Sequence, residues 1–281
     1  VAARKRLDAE LVRRELAPSR EQAQRWIAER QVTVNGAIAQ KPASMVAPSD
    51  AVEVLAPPPR FVGRGGEKML GALEQFGVDP TGLRCIDVGS STGGFTDCLL
   101  QEGAASVVAV DVGRAQLHDR LRRDDRVDVH EQTDIRSVDP GRIGAPFDLV
   151  VIDVSFIGLD QILDVIVSLL ADDGGVDGGV IALVKPQFEA GREEASKGRG
   201  IIHDPAVWER VLAENVAAAA ERSLPVLGVG LSPIKGGAGK ADGNVEFFLH
   251  LGGRNRVADA LTADEIDAGI KHVVASAQEL P

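Results

Sequence analysis

The sequence predicts an α/β protein in which a doubly wound, Rossmann-like sheet follows a small α+β module, and three observations predict it. From residue 84 onward, short apolar runs of strand length alternate with segments of helical spacing, the pattern of parallel strands joined by crossover helices. Pro57-Pro58-Pro59, a stiff extended spacer, separates that stretch from what precedes it. Charge is divided at about the same place. Residues 1–70 hold 12 Lys/Arg against 8 Asp/Glu, or +4, and the rest holds 19 against 34, or −15, in a chain of 281 residues with net charge −11. The net value alone argues against a nucleic-acid partner, but a basic head on an acidic body marks a separable RNA-contacting module. The boundaries that follow are 1–56 for the first domain, 57–63 for the connector and 64–281 for the second domain.

In the first domain, Leu7, Leu11 and Leu16 fall near helical spacing, Arg4, Arg6, Arg13 and Arg14 supply a basic side, and Pro18 interrupts the helix. Ser19-Arg20-Glu21-Gln22 has the form of a capping box and opens a second helix with Ala23, Trp26 and Ile27 inward. Val32-Thr33-Val34 alternates as a strand, and Asn35-Gly36 is the dipeptide suited to a tight hairpin turn. After Lys41-Pro42, a further strand at Val52-Glu53-Val54 completes the module.

In the second domain the strand-like runs are Arg84 to Val88, Val107 to Val110, Leu149 to Ile152, Val180 to Val184, Val226 to Val229 and Val245 to Leu251, with another around Val127 to Val129. A last helix, roughly Ala260 to Ala277, turns Leu261, Ile266 and Ile270 inward. The first run leaves through Asp87-Val88-Gly89-Ser90-Ser91-Thr92-Gly93-Gly94-Phe95. Its Gly-x-x-x-Gly-Gly spacing lacks the second glycine of the dinucleotide fingerprint, which weakens any case for a pyrophosphate on this turn. Asp87 before the loop and Asp111 at the next strand end suit instead a ligand with a cationic amino-acid end and a ribose diol, and S-adenosylmethionine is such a ligand. Asp134, after the following strand, is placed either for an adenine contact or as a surface carboxylate. A purely structural alternative has Gly93 and Gly94 serving only close packing of helix on strand.

Two more strand ends carry charge where a plain core would not. Leu149 to Ile152 runs into Asp153-Val154-Ser155-Phe156, and Ile181 to Val184 into Lys185-Pro186-Gln187-Phe188. In an open parallel sheet these ends border the ligand crevice. Lys68, after Gly63-Arg64-Gly65-Gly66, and Glu246, within the last strand, join them as candidates. Two amines and two carboxylates beside a methyl donor suit alkylation of a hydroxyl, a poor nucleophile that must be deprotonated or polarised in line with the leaving group. A lysine acts as base only if its proton affinity falls, and neighbouring carboxylates oppose that, so orientation and charge stabilisation are the competing role. Taken singly, each of the four reads as easily as a solvated cap.

Several classes are excluded on composition and motif. The longest apolar runs fall far short of the ~20 residues of a membrane span, and Arg4-Lys5-Arg6 leads into an amphipathic segment with no apolar leader core, so the expectation is a cytoplasmic protein and not a pore-forming toxin. Cys85 and Cys98 fall in a strand and a helix, giving neither a disulfide framework nor a metal cluster, and no metal is expected. Gly236-Gly237-Ala238-Gly239-Lys240-Ala241 lacks the first glycine and the hydroxyl of a P-loop. It reads as a basic flap, and the Gly191 to Gly200 segment with Arg192, Lys197 and Arg199 as a loop able to touch RNA phosphates. An amino-methylating enzyme would want a proline-rich loop where Asp153-Val154-Ser155-Phe156 stands. A carbon-methylating one would want a loop thiol, and a non-catalytic RNA-binding assembly factor remains the alternative of a different class.

Arg6-Leu7-Asp8-x-x-Leu11-Val12 with Pro18-Ser19-Arg20 is similar to the S4-type RNA-binding fold. Together with Val34-Asn35-Gly36, Asp87 to Phe95, Asp153-x-Ser155-Phe156, Val184-Lys185-Pro186-Gln187-Phe188-Glu189 and Gly243-Asn244-Val245-Glu246, nearly the whole chain up to Leu251 resembles the haemolysin A (TlyA) family of ribosomal RNA methyltransferases. The resemblance implies a class I S-adenosylmethionine-dependent methyltransferase sheet and ribose 2′-O-methylation of cytidine in ribosomal RNA of one or both subunits. It places a Lys-Asp-Lys-Glu tetrad like that of FtsJ-type enzymes on Lys68, Asp153, Lys185 and Glu246. Cofactor contacts are expected from Asp87, Gly89, Ser90, Ser91, Thr92, Gly93, Gly94, Phe95, Asp111, Asp134 and Asp153, and RNA contacts from Arg4, Arg6, Arg14, Arg20, Lys41 and Arg64. The oligomeric state, monomer included, stays open. Two departures stand out: Arg30 sits where S4 modules usually carry glycine, and Arg60-Phe61-Val62 replaces the tryptophan-containing connector of mycobacterial members.

Overall fold

The computed structural model describes residues 4–55, 59–171, 178–191, 194, 198, 200–237, 243–253 and 255–280. Pro57-Pro58, the basic residues Arg192, Lys197 and Arg199, and Ala238 to Ala241 of the glycine flap lie outside them. The chain divides into two compact units, Val1–Arg60 with Gly237–Gly243, and Phe61–Gly236 with Asn244–Pro281.

In the first unit, strand β1 (Lys5–Arg6) leads into helix α1 (Leu7–Arg13), and helix α2 (Arg20–Ala28) follows. Ser19 caps α2 by accepting from the Gln22 N–H at 3.1 Å. Strands β2 (Val32–Val34) and β3 (Ala37–Ile38) form the hairpin around Asn35-Gly36, β4 (Met45–Val46) pairs with β1, and β5 (Val52–Val54) pairs with β2. Leu7, Leu11, Ala23, Trp26, Ile27 and Val32 fill the core. Two details differ from the sequence reading. Helix α1 stops at Arg13, well before Pro18, because Glu15 turns to φ +59°, and Leu16 is left exposed rather than inward. The short β1–β4 pair carries no periodicity that a sequence could show.

The second unit is the expected Rossmann-like sheet. Helix α3 (Gly65–Phe76) precedes β6 (Arg84–Val88), then come α4 (Gly94–Gln101), β7 (Ser106–Asp111), the short α5 (Asp119–Arg122), β8 (Val127–Glu131), β9 (Leu149–Ile152), α6 (Leu163–Leu169), β10 (Gly179–Val184), the one-turn α7 (Pro186–Glu189), α8 (Pro205–Glu221), β11 (Val226–Leu231), β12 (Phe247–Leu251) and α9 (Ala263–Ala277). The strand order is β11-β12-β10-β9-β6-β7-β8. Five neighbours run parallel, and β12 lies antiparallel between β10 and β11. The runs are apolar throughout because both faces are covered. Leu149, Val150, Val151 and Ile152 are all 0% exposed, each contributing about 1.5–3 kcal/mol of burial.

The chain order turns back between β6 and β9, so their carboxyl ends open the crevice where ligands bind in such sheets. Three boundaries shift. Phe61, assigned to the connector, belongs to the second core at 3% exposure, seated against Gly66 so closely that a Cβ there would lie 2.2 Å from its ring. Strand β12 begins at Phe247, leaving Glu246 in the segment just ahead of it. Helix α9 begins at Ala263 behind a Thr262–Glu265 capping box, so Leu261 precedes it, and the buried face is Ile270, Val273, Val274 and Ala277.

Candidate active site

The tetrad forms two ion pairs. Lys68, from the second turn of α3, donates to Glu246 Oε2 at 2.5 Å. Lys185, just past β10, pairs with Asp153, just past β9, and donates to Ser155 Oγ at 3.2 Å. Gln187, two residues past Lys185, adds a contact to the first pair, its Nε2 donating to Glu246 Oε1 at 3.4 Å. Sheet register explains the meeting: Val184 lies opposite Phe247 and Ala182 beside Ile152, so Lys185, Glu246 and Asp153 leave neighbouring strands at one edge. Lys68, Lys185 and Glu246 are 8%, 8% and 3% exposed. At such burial the pairs cost desolvation and survive only by mutual compensation, so removing one partner strands the other.

A cavity of about 560 Å³ opens beside them, within the usual size range of small-molecule sites. Val88, Gly89, Ser91, Asp111, Val112, Asp134, Asp153 and Phe156 are among its lining residues. Gly89 has φ +88°, and a Cβ there would stand 2.6 Å from the Asp153 carbonyl oxygen, so only glycine lets the two strand ends approach this closely. The Asp111 carboxylate accepts the Ser91 N–H at 2.8 Å and the Gly113 N–H at 2.6 Å, which fixes it with lone pairs to spare for a diol. Val112, 71% exposed, offers an apolar face. Asp134 accepts the Arg136 N–H at 3.0 Å and its guanidinium, a side-chain bond that holds the carboxyl below the usual range. Cavity size, an anchored carboxylate and an adjacent apolar face together fit a nucleoside-bearing ligand such as S-adenosylmethionine.

Five of the expected cofactor residues, Gly89, Ser91, Asp111, Asp134 and Asp153, line this cavity, and six, Asp87, Ser90, Thr92, Gly93, Gly94 and Phe95, do not. Asp87 is 0% exposed and accepts the Thr96 N–H at 3.0 Å and the Thr96 hydroxyl at 2.7 Å. Alternation along β6 explains it: Asp87 shares its face with Cys85, which packs under α4. Burial pushes its carboxyl up to about 7; Oδ2 ties strand to helix, while Oδ1 has no hydrogen-bond partner. Phe95 is a core residue, 2% exposed with its ring centroid 6.4 Å from that of Phe248. Ser90, Gly93 and Gly94 are buried within the turn, and Thr92 is exposed on it. A Cβ on Gly94 would lie 2.8 Å from the Gly66 nitrogen, so this glycine lets α3, the carrier of Lys68, pack backbone to backbone on α4.

Phe156 was quoted only as part of a motif, yet it is the outlier of the site. It is 88% exposed, has φ +67°, and stacks on Phe188 with ring centroids 4.7 Å apart. In a chain with 4% aromatic residues, an aromatic three residues past a charged strand end was the available signal. Gln187, which donates to Glu246, was likewise visible only as motif.

In the first unit, Asp8 is 0% exposed and gathers Arg6 at 2.8 Å, Arg20 at 3.1 Å and Gln24 at 2.8 Å, a set that holds its carboxyl well below the usual range, the Arg6 bond first. Arg6 and Arg20 remain 46% and 57% exposed at the side chain. Arg4 and Lys41 are exposed, and the turn after Lys41 is fastened to α1 by Leu7 N–H to Ser44 at 2.7 Å and Asp8 N–H to Pro42 at 3.1 Å. Arg14 differs: its guanidinium donates to Glu10 and to the carbonyls of Asp50, Ala47 and Pro48, which makes it a brace within the fold. Arg64, in the second unit, donates to the Lys235 carbonyl at 2.7 Å. Among the described residues no group of three or more His, Cys, Asp and Glu could hold a metal, and no helix is long and apolar enough to cross a membrane.

Comparison with known proteins adds the following. The FtsJ-like methyltransferase family model matches residues 61–252 and the S4 domain model residues 5–52. The chain is 42% identical over 98% of both chains to the 16S/23S rRNA (cytidine-2′-O)-methyltransferase TlyA of Mycobacterium tuberculosis. It is 37% identical to Hemolysin A of Brachyspira hyodysenteriae, across 83% of this chain and 93% of that one. A solved structure from Streptococcus thermophilus that carries the hemolysin name superposes with TM-score 0.75 and 38% identity, covering 99% of this chain and 97% of that one.

Proposed function

Since the chain belongs to the TlyA branch of the FtsJ-like methyltransferases, with an S4 domain ahead of the catalytic one, we propose that the two ion pairs carry out its reaction. That reaction is S-adenosylmethionine-dependent methylation of a cytidine ribose 2′-hydroxyl in ribosomal RNA. The single observation that carries the assignment of residues is the Lys68–Glu246 and Lys185–Asp153 pairing at the sheet edge beside the cavity. The donor supplies a methyl group made electrophilic by its sulfonium.

Asp111 and Gly89 would hold the nucleoside end, and Asp153 faces the cavity from the substrate side. Lys185 is in ion-pair contact with Asp153 and donates to Ser155, and an ammonium with three N–H donors keeps a donor for the incoming hydroxyl oxygen. Paired with its carboxylate, Lys185 orients that oxygen and offsets the negative charge it gains as its proton passes to solvent. Lys68 and Glu246 bond directly, with Gln187 on the second carboxylate oxygen, and keep a second cation fixed at the same sheet edge. The pairing therefore favours orientation and charge stabilisation over a free resting base. Ribosomal RNA of both subunits, as in the mycobacterial relative, and work in the cytoplasm where ribosomes assemble complete the reading.

The test is labelled methyl incorporation into unmodified ribosomal subunits, with ribose and base methylation distinguished by nuclease mapping. Lys185→Ala and Glu246→Gln are expected to bind the donor yet transfer no methyl group. Wild-type turnover in a folded Lys185→Ala protein removes the assignment, and methyl groups on bases would favour the base-modifying alternative.

A further inference from the structure

Glu131 closes β8, one strand beyond Asp111 and outside the tetrad. Its carboxylate accepts three consecutive backbone N–H groups, from Ala115 at 2.6 Å, Gln116 at 2.8 Å and Leu117 at 3.2 Å, and it pairs with Arg122 at 2.6 Å. Successive N–H groups converging on one anion form a nest. Here the anion is the protein's own, and it holds Ala115 at φ +51°, a backbone conformation that a residue with a side chain adopts only when it is held.

The segment so held forms part of the cavity wall. Gln116 lines the cavity, with its side chain folded across Gly113: a Cβ on Gly113 would lie 1.9 Å from Gln116 Nε2. The Ser91 hydroxyl donates to Gln116 Oε1 at 3.4 Å. Ser91 and Gly113 are also the residues whose N–H groups fix the Asp111 carboxylate, so Gln116 spans the two sides of that carboxylate. Below it, the His118 N–H donates to the Thr92 carbonyl at 3.2 Å, and Leu117 packs where a side chain on Gly93 would stand. The loop after β7 is thus stitched to the glycine loop after β6, and Glu131 is the anchor of the stitch.

We propose that Glu131 is a positioning residue for the methyl donor: by clamping Ala115–Leu117 it presents the Gln116 side chain over Asp111 as a donor-binding group. The inference rests on the reading of this cavity as the S-adenosylmethionine site, and it assigns both residues to donor affinity rather than to the transfer step. Burial alone would raise the Glu131 carboxyl, but the three N–H groups and Arg122 hold it down at about 2, so the clamp is charged wherever the enzyme works.

The test uses the full chain and S-adenosylmethionine itself, with binding by calorimetry, amide hydrogen exchange, and turnover at saturating donor. Glu131→Ala is expected to weaken donor binding by about tenfold, the scale of one charge-assisted contact, and to leave turnover at saturating donor within about twofold. The amides of Ala115, Gln116 and Leu117 should be protected in the donor-free wild type and lose protection in the variant. Gln116→Ala should weaken the donor severalfold, and the double variant should be no worse than Glu131→Ala, because Gln116 contributes only when the clamp is set. Unchanged donor affinity in folded Glu131→Ala, or losses that multiply in the double variant, overturns the proposal. Should Glu131→Ala fail to fold, the exposed Gln116→Ala decides, and an unaltered affinity there overturns it equally. Failure of the underlying reading looks different: the wild type then takes up no donor and Asp111→Ala changes nothing.

Discussion

Glu189 is a half-buried carboxylate with no cation paired to it among the described residues. It accepts the Leu159 N–H at 3.1 and 3.3 Å on its two oxygens, and burial pushes its carboxyl up to about 7, with the Leu159 N–H and Asn215 opposing and the charges of Asp160 and Glu214 adding to the rise. Its folded-state affinity for a proton exceeds that of the unfolded chain, so its contribution to stability is complete below about pH 4.5 and disappears as pH rises through about 7. Glu189→Gln keeps an acceptor and removes the charge. Denaturation at pH 8 should therefore find the variant more stable by on the order of 2 kcal/mol, with the gain shrinking toward pH 5. A gain that is the same at both pH values would remove the cause assigned. Arg30 is a second such residue. Its φ of +62° is the left-handed geometry that glycine adopts freely, which gives a physical reason for the usual glycine at that place. Arg30→Gly is expected to stabilise the first unit by up to about 1 kcal/mol, read as slower amide exchange in α2 and β2. The sequence showed that Arg30 was unusual but not its φ, just as it showed Asp87 at a strand end but not the face it points to.

One short element organises the site. Helix α7 grips the segment after β9 at three points: Lys185 at its head holds Asp153 and Ser155, Phe188 stacks on Phe156, and Glu189 takes the Leu159 N–H. Phe156 is thereby held outward at the cavity mouth in a conformation that a bulky residue rarely adopts. An exposed ring in that position suits stacking on a base of the RNA, a contact worth about 1–3 kcal/mol in single-stranded recognition. Phe156→Ala should lower kcat/KM for ribosomal subunits by at least about fivefold while thermal stability stays level, since the ring buries little of itself. A variant with full kcat/KM would show that the ring serves the loop alone. At this scale the sequence was most legible where both faces are buried. Arg84 to Val88 and Leu149 to Ile152 form over the residues that their apolar runs mark. It was least legible at ends set by distant partners. The β1–β4 pair depends on a register between residues 5–6 and 45–46, and β12 starts at Phe247, just after Glu246, whose side chain meets the distant Lys68.

For the whole molecule, the division of charge read from the sequence coincides with the division into units, and the arginines of the basic head are more than counter-charges. Asp8, fully buried, sets Arg6 and Arg20 side by side while more than two fifths of each side chain stays open to solvent. Holding two guanidinium groups in advance lowers the entropy that would be lost on meeting phosphate, so these two are expected to carry more of the RNA affinity than charge counting assigns them. Arg14 is as basic in sequence but is committed to carbonyls of its own unit, a distinction that composition cannot make. Arg20→Ala is the cleaner substitution because Asp8 keeps Arg6, Gln24 and the Ala9 N–H as partners, whereas losing Arg6 would take two of its bonds at once. The expected outcome is RNA binding weakened at low salt, with the slope of log affinity against log salt reduced by about 1, and donor affinity unchanged. The same salt series on Arg14→Ala should show little change in slope and a less stable first unit instead. Equal slopes for wild type and Arg20→Ala would move the phosphate contacts to some other part of the basic head.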